Sequence, residues 1–456
     1  MSTAPHQDGR RTVVYEDYYS DRLRNLPRAA FEPLVPLMKD PDVKVFCQGV
    51  PPSTMFPLRS LSVTLIDGTE VSLSPEDMVQ SQRYAPFAWG PLREWLTQHM
   101  REVHNPPAPN WDIAMAAGSM SSVDLVCAAF INKGDVILAD EFTFTASVDA
   151  FRSYGANVVG IEGDAHGMLP ASLDDACKRL MADGTGSMPL AKFLYLVPVG
   201  SNPTGTTLSS SRYPEIYEIA QRYGLLIVED DSYFYQQHCL RPGVDETEAT
   251  APQDSAAVAE PPGLCLGPSF LSLDTDGRVF RMDSFSKVLA PGFRIGWVTG
   301  PPEITQRYNA LAYASSQNGS SLSMMLLGRS LEAWGRSGFE AQVLLLQRSL
   351  QEKCSALVAA MDKHLTGKVQ IWTKPRAGMF LWAKILGPAP SIDELVSLSK
   401  EHGVVVLPGS TCMATPGESR CPFIRISFTA EAETYDEGMR RLGALIDSLG
   451  QPSEKA

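Results

Sequence analysis

Between residues 112 and 300 the chain repeats one pattern. Short runs of continuous apolar residues alternate with stretches of helical periodicity. DVILAD (135–140), NVVGIE (157–162), KFLYLVP (192–198), LLIVED (225–230), VFRMDS (279–284) and RIGWVTG (294–300) read as buried strands, and DIAMAA (112–117) as a shorter one. Helical segments such as 209–224 lie between them. Strands without polar alternation are covered on both faces, which predicts an α/β fold with a mostly parallel, mixed sheet sandwiched by helices. After about residue 330 the pattern changes. A long helical region (331–365) leads into VQIWTKPRAGMFLWAKI, a helix at 391–402, the strands VVVLPG and FIRISF, and a last helix at 431–449. That is a smaller α+β domain.

The expected division is a flexible N-terminal arm (1–20), an N-terminal segment (21–80) contributing to the small domain and the substrate pocket, a large domain (81–330) and a C-terminal small domain (331–456). Residues 236–265, rich in Ala, Pro, Asp and Glu, read as an acidic surface insertion within the large domain.

Composition narrows the function. The 456 residues carry 39 Lys and Arg against 52 Asp and Glu, a net charge of −13. Such a chain has no general attraction for nucleic acid or anionic membrane, so neither is an expected partner. The eight cysteines form no CxxC pair and the seven histidines no HExxH cluster, so no metal is expected. The polar start MSTAPHQDGRR lacks the apolar core of a leader, and a cytoplasmic location is expected.

Polar residues gather at the ends of the predicted strands, where open α/β sheets bind ligands. LLIVED ends on Asp230, followed by Asp231, Ser232 and Tyr233. A carboxylate there suits a protonated pyridinium-type nitrogen, although a lone acid can equally be a helix cap. Lys287 follows a strand, lies beside Ser284 and Ser286, and precedes a Pro-Gly turn and Arg294. The serines and the arginine are donors for a phosphate dianion, and burial with nearby positive charge turns a lysine (ordinarily near pKa ~10.4) into a nucleophile. AAGSMSS (116–122) places Ser119 and Met120 at a helix N-terminus, a ready anion site or an ordinary cap. Asn202 sits in the turn SNPTG. Arg425 lies inside the apolar strand FIRISF, where either a substrate carboxylate or an internal salt bridge would account for it.

The ordered set SNPTG (201–205), VEDDSYFY (228–235), DSFSKVLAPGFRIGW (283–297) and FIRISF (423–428) resembles the fold-type I, class I/II aminotransferases that use pyridoxal 5′-phosphate (PLP). Within them it is similar to the fungal aromatic amino acid and kynurenine/2-aminoadipate group, from about residue 45 to 445. The resemblance implies that the large domain binds PLP. Lys287 is then the lysine that bonds to the cofactor and shuttles the substrate proton, and Asp230 the partner of the ring nitrogen. Asn202 and Tyr233 hold the ring oxygen, with Asn202 also on the substrate side. Ser119, Met120, Ser284, Ser286 and Arg294 cradle the phosphate, and Phe144 stacks on the ring. Arg425 grips the substrate carboxylate, Gly49 belongs to a substrate-side loop, and Tyr84 serves the neighbouring subunit's phosphate in a homodimer with active sites at the interface.

The implied reaction is ping-pong transfer of an amino group from an aromatic or related amino acid to a 2-oxo acid. Met120 replaces a polar residue of the family, PFAWG follows Tyr84 in place of a small-residue turn, and NLPRAAFEPL replaces the usual arm motif. These departures leave β-elimination at a C–S bond as the rival chemistry. A PLP-binding regulatory domain is a third reading, which lacks its usual basic helix-turn-helix extension here.

Overall fold

The computed structural model describes residues 13–27, 32–38, 40, 42–47, 49–84, 90–108, 110–182, 191–238, 264–415, 417 and 419–450. Its centre is a seven-stranded mixed sheet in the order Asp112–Ala116, Gly296–Gly300, Val279–Ser284, Leu226–Asp230, Phe193–Leu196, Val136–Asp140, Asn157–Ile161. Gly296–Gly300 runs antiparallel to both neighbours; the remaining pairs are parallel.

The continuous apolar runs have a direct cause. Successive side chains of a strand enter different cores. Leu194, Leu196 and Ile227 pack with the helices Gly90–His104, Pro170–Ala182 and Arg212–Tyr223. Phe193, Tyr195, Leu226 and Val228 pack on the other side with Ser119–Phe130, Thr145–Ser153 and Pro302–Ser316.

A second, four-stranded antiparallel sheet is ordered Val369–Ile371, Phe380–Ile385, Phe423–Ser427, Leu407–Pro408. It packs with the helix Tyr435–Asp447 and the end of the long helix Ser321–Leu365 around a third core. That helix begins ten residues before the expected start, where Ser320 caps its first turn by accepting from Ser323 N–H, and it is broken at Gly335 (φ 63°, ψ −172°). The expected strand VVVLPG shrinks to the two-residue pairing of Leu407–Pro408 with the neighbouring strand.

The N-terminal arm needs correction. Within the described residues, 13–20 are anchored to the large sheet unit. Tyr18, Tyr19 and Leu23 are buried, and Ser20 binds the carbonyls of Ala129 through its N–H (2.7 Å) and Ala128 through its hydroxyl (2.6 Å). Tyr15 and Tyr18 donate to the carbonyls of Gly277 and Gly224. Tyr18 buries its ring and Tyr15 half-buries its own, and both satisfy their hydroxyls, which a polar tail does not do. Further on, the hairpin Ser62–Thr64/Glu70–Ser72 and the helix Pro75–Ser81 reach the C-terminal third through the first turns of the long helix, where Leu73 and Met78 meet Met325. Of the expected insertion, 239–263 lie outside the described residues.

The two sheet units meet backbone to backbone. A Cβ on Gly200 would lie 2.5 Å from Gly378 N, and one on Gly378 would lie 2.5 Å from the Gly200 carbonyl oxygen. Both glycines have positive φ, 54° and 79°.

Candidate active site

A cavity of about 350 Å³ opens at the carboxyl ends of the large-sheet strands. Its lining includes Ser119, Met120, Phe144, Asn202, Asp230, Tyr233, Ser286, Lys287, Arg294 and Arg425. Thus ten residues singled out in sequence, drawn from six separate segments, share one site.

Asp230 ends its strand and is 5% exposed. Tyr195 donates to its Oδ2 at 2.7 Å, and Ser232 to its Oδ1 at 3.2 Å. Tyr195 is itself fixed by Ser147, 2.9 Å away. Burial pushes the Asp230 carboxyl above the usual range, while the two hydroxyl donors and Arg281 pull it back. Behind it, the fully buried Arg281 pairs with Glu229 (3.2 Å), Asp231 (2.9 Å) and Asp283 (2.9 Å), tying together the ends of two neighbouring strands.

Lys287 closes a single turn, Phe285–Lys287, after the strand Val279–Ser284. Its carbonyl accepts from Gln236 Nε2 at 2.6 Å, and its amine makes no hydrogen bond or ion pair among the described residues. Ser284 does not line the cavity. It is 2% exposed, caps the turn by accepting from Ser286 N–H (3.1 Å), and lies within reach of Ser286 Oγ (2.9 Å). In this structure its hydroxyl holds Ser286, which lines the cavity.

Arg294 adopts the left-handed conformation (φ 52°) and donates to Ser286 Oγ (3.2 Å) and the carbonyls of Pro291 (3.0 Å) and Ala117 (2.9 Å). The guanidinium thereby lies against Gly118, which begins the helix Ser119–Phe130 with φ 84°. A Cβ on Gly118 would fall 2.9 Å from Arg294 Cζ. The turn must therefore be glycine for its backbone and for its neighbour, and it leaves the first-turn N–H groups of Ser119 and Met120 without helical partners. Gly118→Ala is expected to cost about 1–3 kcal/mol of strain and to weaken PLP binding by roughly tenfold or more. Thermal unfolding and a fluorescence titration of the apoenzyme with PLP measure the two effects.

Across the cavity, Arg425 donates to Asn202 Oδ1 at 2.6 Å, and its guanidinium sits 4.2 Å from the centre of the Phe380 ring. No carboxylate pairs with it among the described residues, so the internal salt bridge is absent there. Burial lowers its pKa. Tyr233 is 7% exposed and hydrogen-bonds Asn202; burial, then the charge of Asp230, pushes its phenol up. Two expected residues stand apart. Gly49 and Tyr84 are exposed, Tyr84 by 64%, and neither lines this cavity in its own chain.

The donor set fits PLP. A cation, hydroxyls and free N–H groups form one end, and a buried carboxylate lies in the floor beside Asn202 and Tyr233. The lysine amine is uncommitted. Sequence reasoning missed Ser232 and Phe380 in the lining, and Tyr195 and Ser147 beneath it. Among the described residues no group of His, Cys, Asp and Glu is placed to hold a metal, and no helix is long and apolar enough to cross a membrane.

Comparison with known proteins agrees with this geometry. Residues 75–442 match the family "Aminotransferase class I and II". A mitochondrial kynurenine/alpha-aminoadipate aminotransferase of Bos taurus is 33% identical over 411 residues, covering 87% of this chain and 90% of the relative. An aromatic amino acid aminotransferase of Schizosaccharomyces pombe is 34% identical over 367 residues, covering 78% and 76%. The crystal structure of aminotransferase Aro8 from Candida albicans superposes with a TM-score of 0.81 at 26% identity, over 96% of this chain and 99% of that one. The chain belongs to the class I and II aminotransferases, enzymes that transfer amino groups with pyridoxal 5′-phosphate.

Proposed function

We propose that this aminotransferase takes the amino group from an aromatic L-amino acid, or from the related donors kynurenine and 2-aminoadipate, and passes it to a 2-oxo acid. The observation that carries this reading is Arg425, a guanidinium without a carboxylate partner among the described residues, on the same cavity as Lys287. A bidentate grip on an α-carboxylate contributes about 1.5–3 kcal/mol. Asn202, 2.6 Å from Arg425, orients that grip. The rings of Phe144 and Phe380 give the cavity apolar walls suited to an aromatic donor, and the relatives' names point the same way.

When bound, PLP supplies an electron-poor ring that takes up the charge left at the substrate Cα. The chain does the rest. Ser119, Ser286, Arg294 and the Met120 N–H hold the phosphate, with Ser284 behind Ser286. Phe144 stacks on the ring, Asn202 and Tyr233 donate to its oxygen, and Asp230 keeps its nitrogen protonated. Lys287, whose amine is uncommitted on the cavity, would hold the cofactor covalently, and its Nζ, when free, would remove the substrate Cα proton as a general base and return it.

We further infer a homodimer in which Tyr84 reaches the neighbouring subunit's cofactor phosphate and Gly49 borders the substrate. In support, Tyr84 is exposed in the chain alone, and Phe46, Met55 and Ile66 are exposed by 94%, 74% and 75% in the same N-terminal region. The seven described cysteines are free, which supports a reducing compartment such as the cytoplasm.

The test is an absorbance titration of the yellow holoenzyme with single amino acids, with the products identified. A 2-oxo acid together with an aminated acceptor is expected. Pyruvate and ammonia formed without an acceptor would establish β-elimination instead. Arg425→Leu is expected to lower kcat/KM about 10–100-fold for every donor with PLP affinity unchanged. A loss confined to one donor would remove Arg425 from carboxylate binding.

A further inference from the structure

A second cavity, of about 360 Å³, lies behind the loop that carries Asn202 and shares no lining residue with the Lys287 cavity. Its apolar walls include Val199, Leu208, Leu266 and Pro268. Its polar side holds Arg376 and His238 together with Thr207, Ser210 and Gln237, and the His238 backbone N–H donates to the Arg376 carbonyl (2.8 Å).

Three atoms there are buried without a hydrogen-bond partner among the described residues: Arg376 Nη1 and both ring nitrogens of His238. A buried donor or acceptor left unmade costs about 1–3 kcal/mol, and more when the group is charged. Such atoms normally find a protein or ligand partner. Among the described residues no acidic side chain lines the cavity. Burial, and then the charge of Lys374, lower the His238 imidazole to about 4, so near pH 7 it is neutral and offers one donor and one acceptor. The combination is one guanidinium without an acidic partner among the described residues, one neutral imidazole, a few neutral polar side chains and apolar walls, in a volume ordinary for a small-molecule site.

We propose that this cavity is a second binding site, for a small carboxylate with an apolar or aromatic body. The carboxylate lies on Arg376, His238 completes its hydrogen bonding, and the body packs against Val199, Leu208 and Leu266. A single guanidinium among apolar walls matches a monoanion of this kind better than inorganic phosphate, whose second charge would remain unpaired.

The probe is 3-phenylpropionate, which has neither amino nor oxo group and so cannot react. Calorimetric titration of the holoenzyme is expected to show two binding events per chain. Arg425→Leu should remove one and leave the other. Arg376→Leu should weaken the other by about tenfold or more while kcat/KM for the amino donor stays within about twofold of wild type. His238→Leu serves as the second variant, with circular dichroism confirming the fold of both, and is expected to weaken the same event. If Arg425→Leu abolishes all binding, the probe occupies only the active site and the proposal fails. It fails equally if the second event appears only after residues 239–263, whose sequence holds Asp245, Glu246, Glu248, Asp254 and Glu260, are replaced by a short Gly-Ser linker. The chain's own carboxylates would then be the occupant. Because the Arg376 event is independent of Arg425, its failure leaves the reading of the active site untouched.

Discussion

Lys287→Ala is expected to lower kcat by at least about 10³–10⁴-fold, since the proposed mechanism gives this residue both the covalent anchor and the general base. The fold should survive, because the turn that carries Lys287 is fixed by backbone and neighbours: Ser284 caps it and Gln236 binds the Lys287 carbonyl. The phosphate cradle of Ser119, Ser286 and Arg294 is likewise untouched, so the variant should still bind PLP without a covalent bond. Borohydride treatment and peptide mapping check this: label at residue 287 in the wild type and none in the variant. Turnover above a hundredth of wild type would take the proton-transfer role from Lys287.

Asp230→Ala is expected to cost about 3–5 kcal/mol, the penalty for removing one partner of a buried charge pair, or roughly 10²–10⁴ in kcat. The loss should fall on kcat rather than KM, because in the proposed arrangement Asp230 faces the cofactor and Arg425 the substrate carboxylate. Two hydroxyls, of Tyr195 and Ser232, lose their acceptor at the same time. Single-turnover kinetics with a saturating donor isolates the chemical step. A kcat within threefold of wild type would place the ring nitrogen's partner elsewhere.

The large sheet was legible because it is covered twice. When adjacent side chains such as Leu194 and Tyr195 enter different cores, the strand reads as an unbroken apolar run. The same property hid Tyr195, which stands in that run like any core residue; only the fold shows its hydroxyl 2.7 Å from Asp230. Ser147 was hidden in a helix for the same reason. Lys287, Asp230 and Asn202 were legible because polar groups at strand ends interrupt the pattern. Gly118 was visible as a turn, but its second cause, the guanidinium of Arg294, is tertiary. The helix Pro302–Ser316 and the early start of Ser321–Leu365 escaped notice because they are half covered by several elements and lack one clean apolar stripe. The arm was misjudged because Tyr18 and Tyr19 lie near charged residues, and the core they enter includes the helix Ser119–Phe130, about a hundred positions away.

The seam at Gly200 and Gly378 has a mechanical consequence. Where two bodies interlock through side chains, any relative movement must unseat knobs from holes and pass through costly intermediate packings. At this one point the surfaces touch as bare chain, so a small rotation about it resets no rotamer there, while the rings of Phe142, Trp382 and Phe423, packed across the units beside it, limit its extent. Arg425 rides on the pivoting unit, and its contact Asn202 lies two residues beyond the pivot on the stationary one. A small rotation therefore changes the gap between them directly, and with it the space that the proposed substrate carboxylate would occupy.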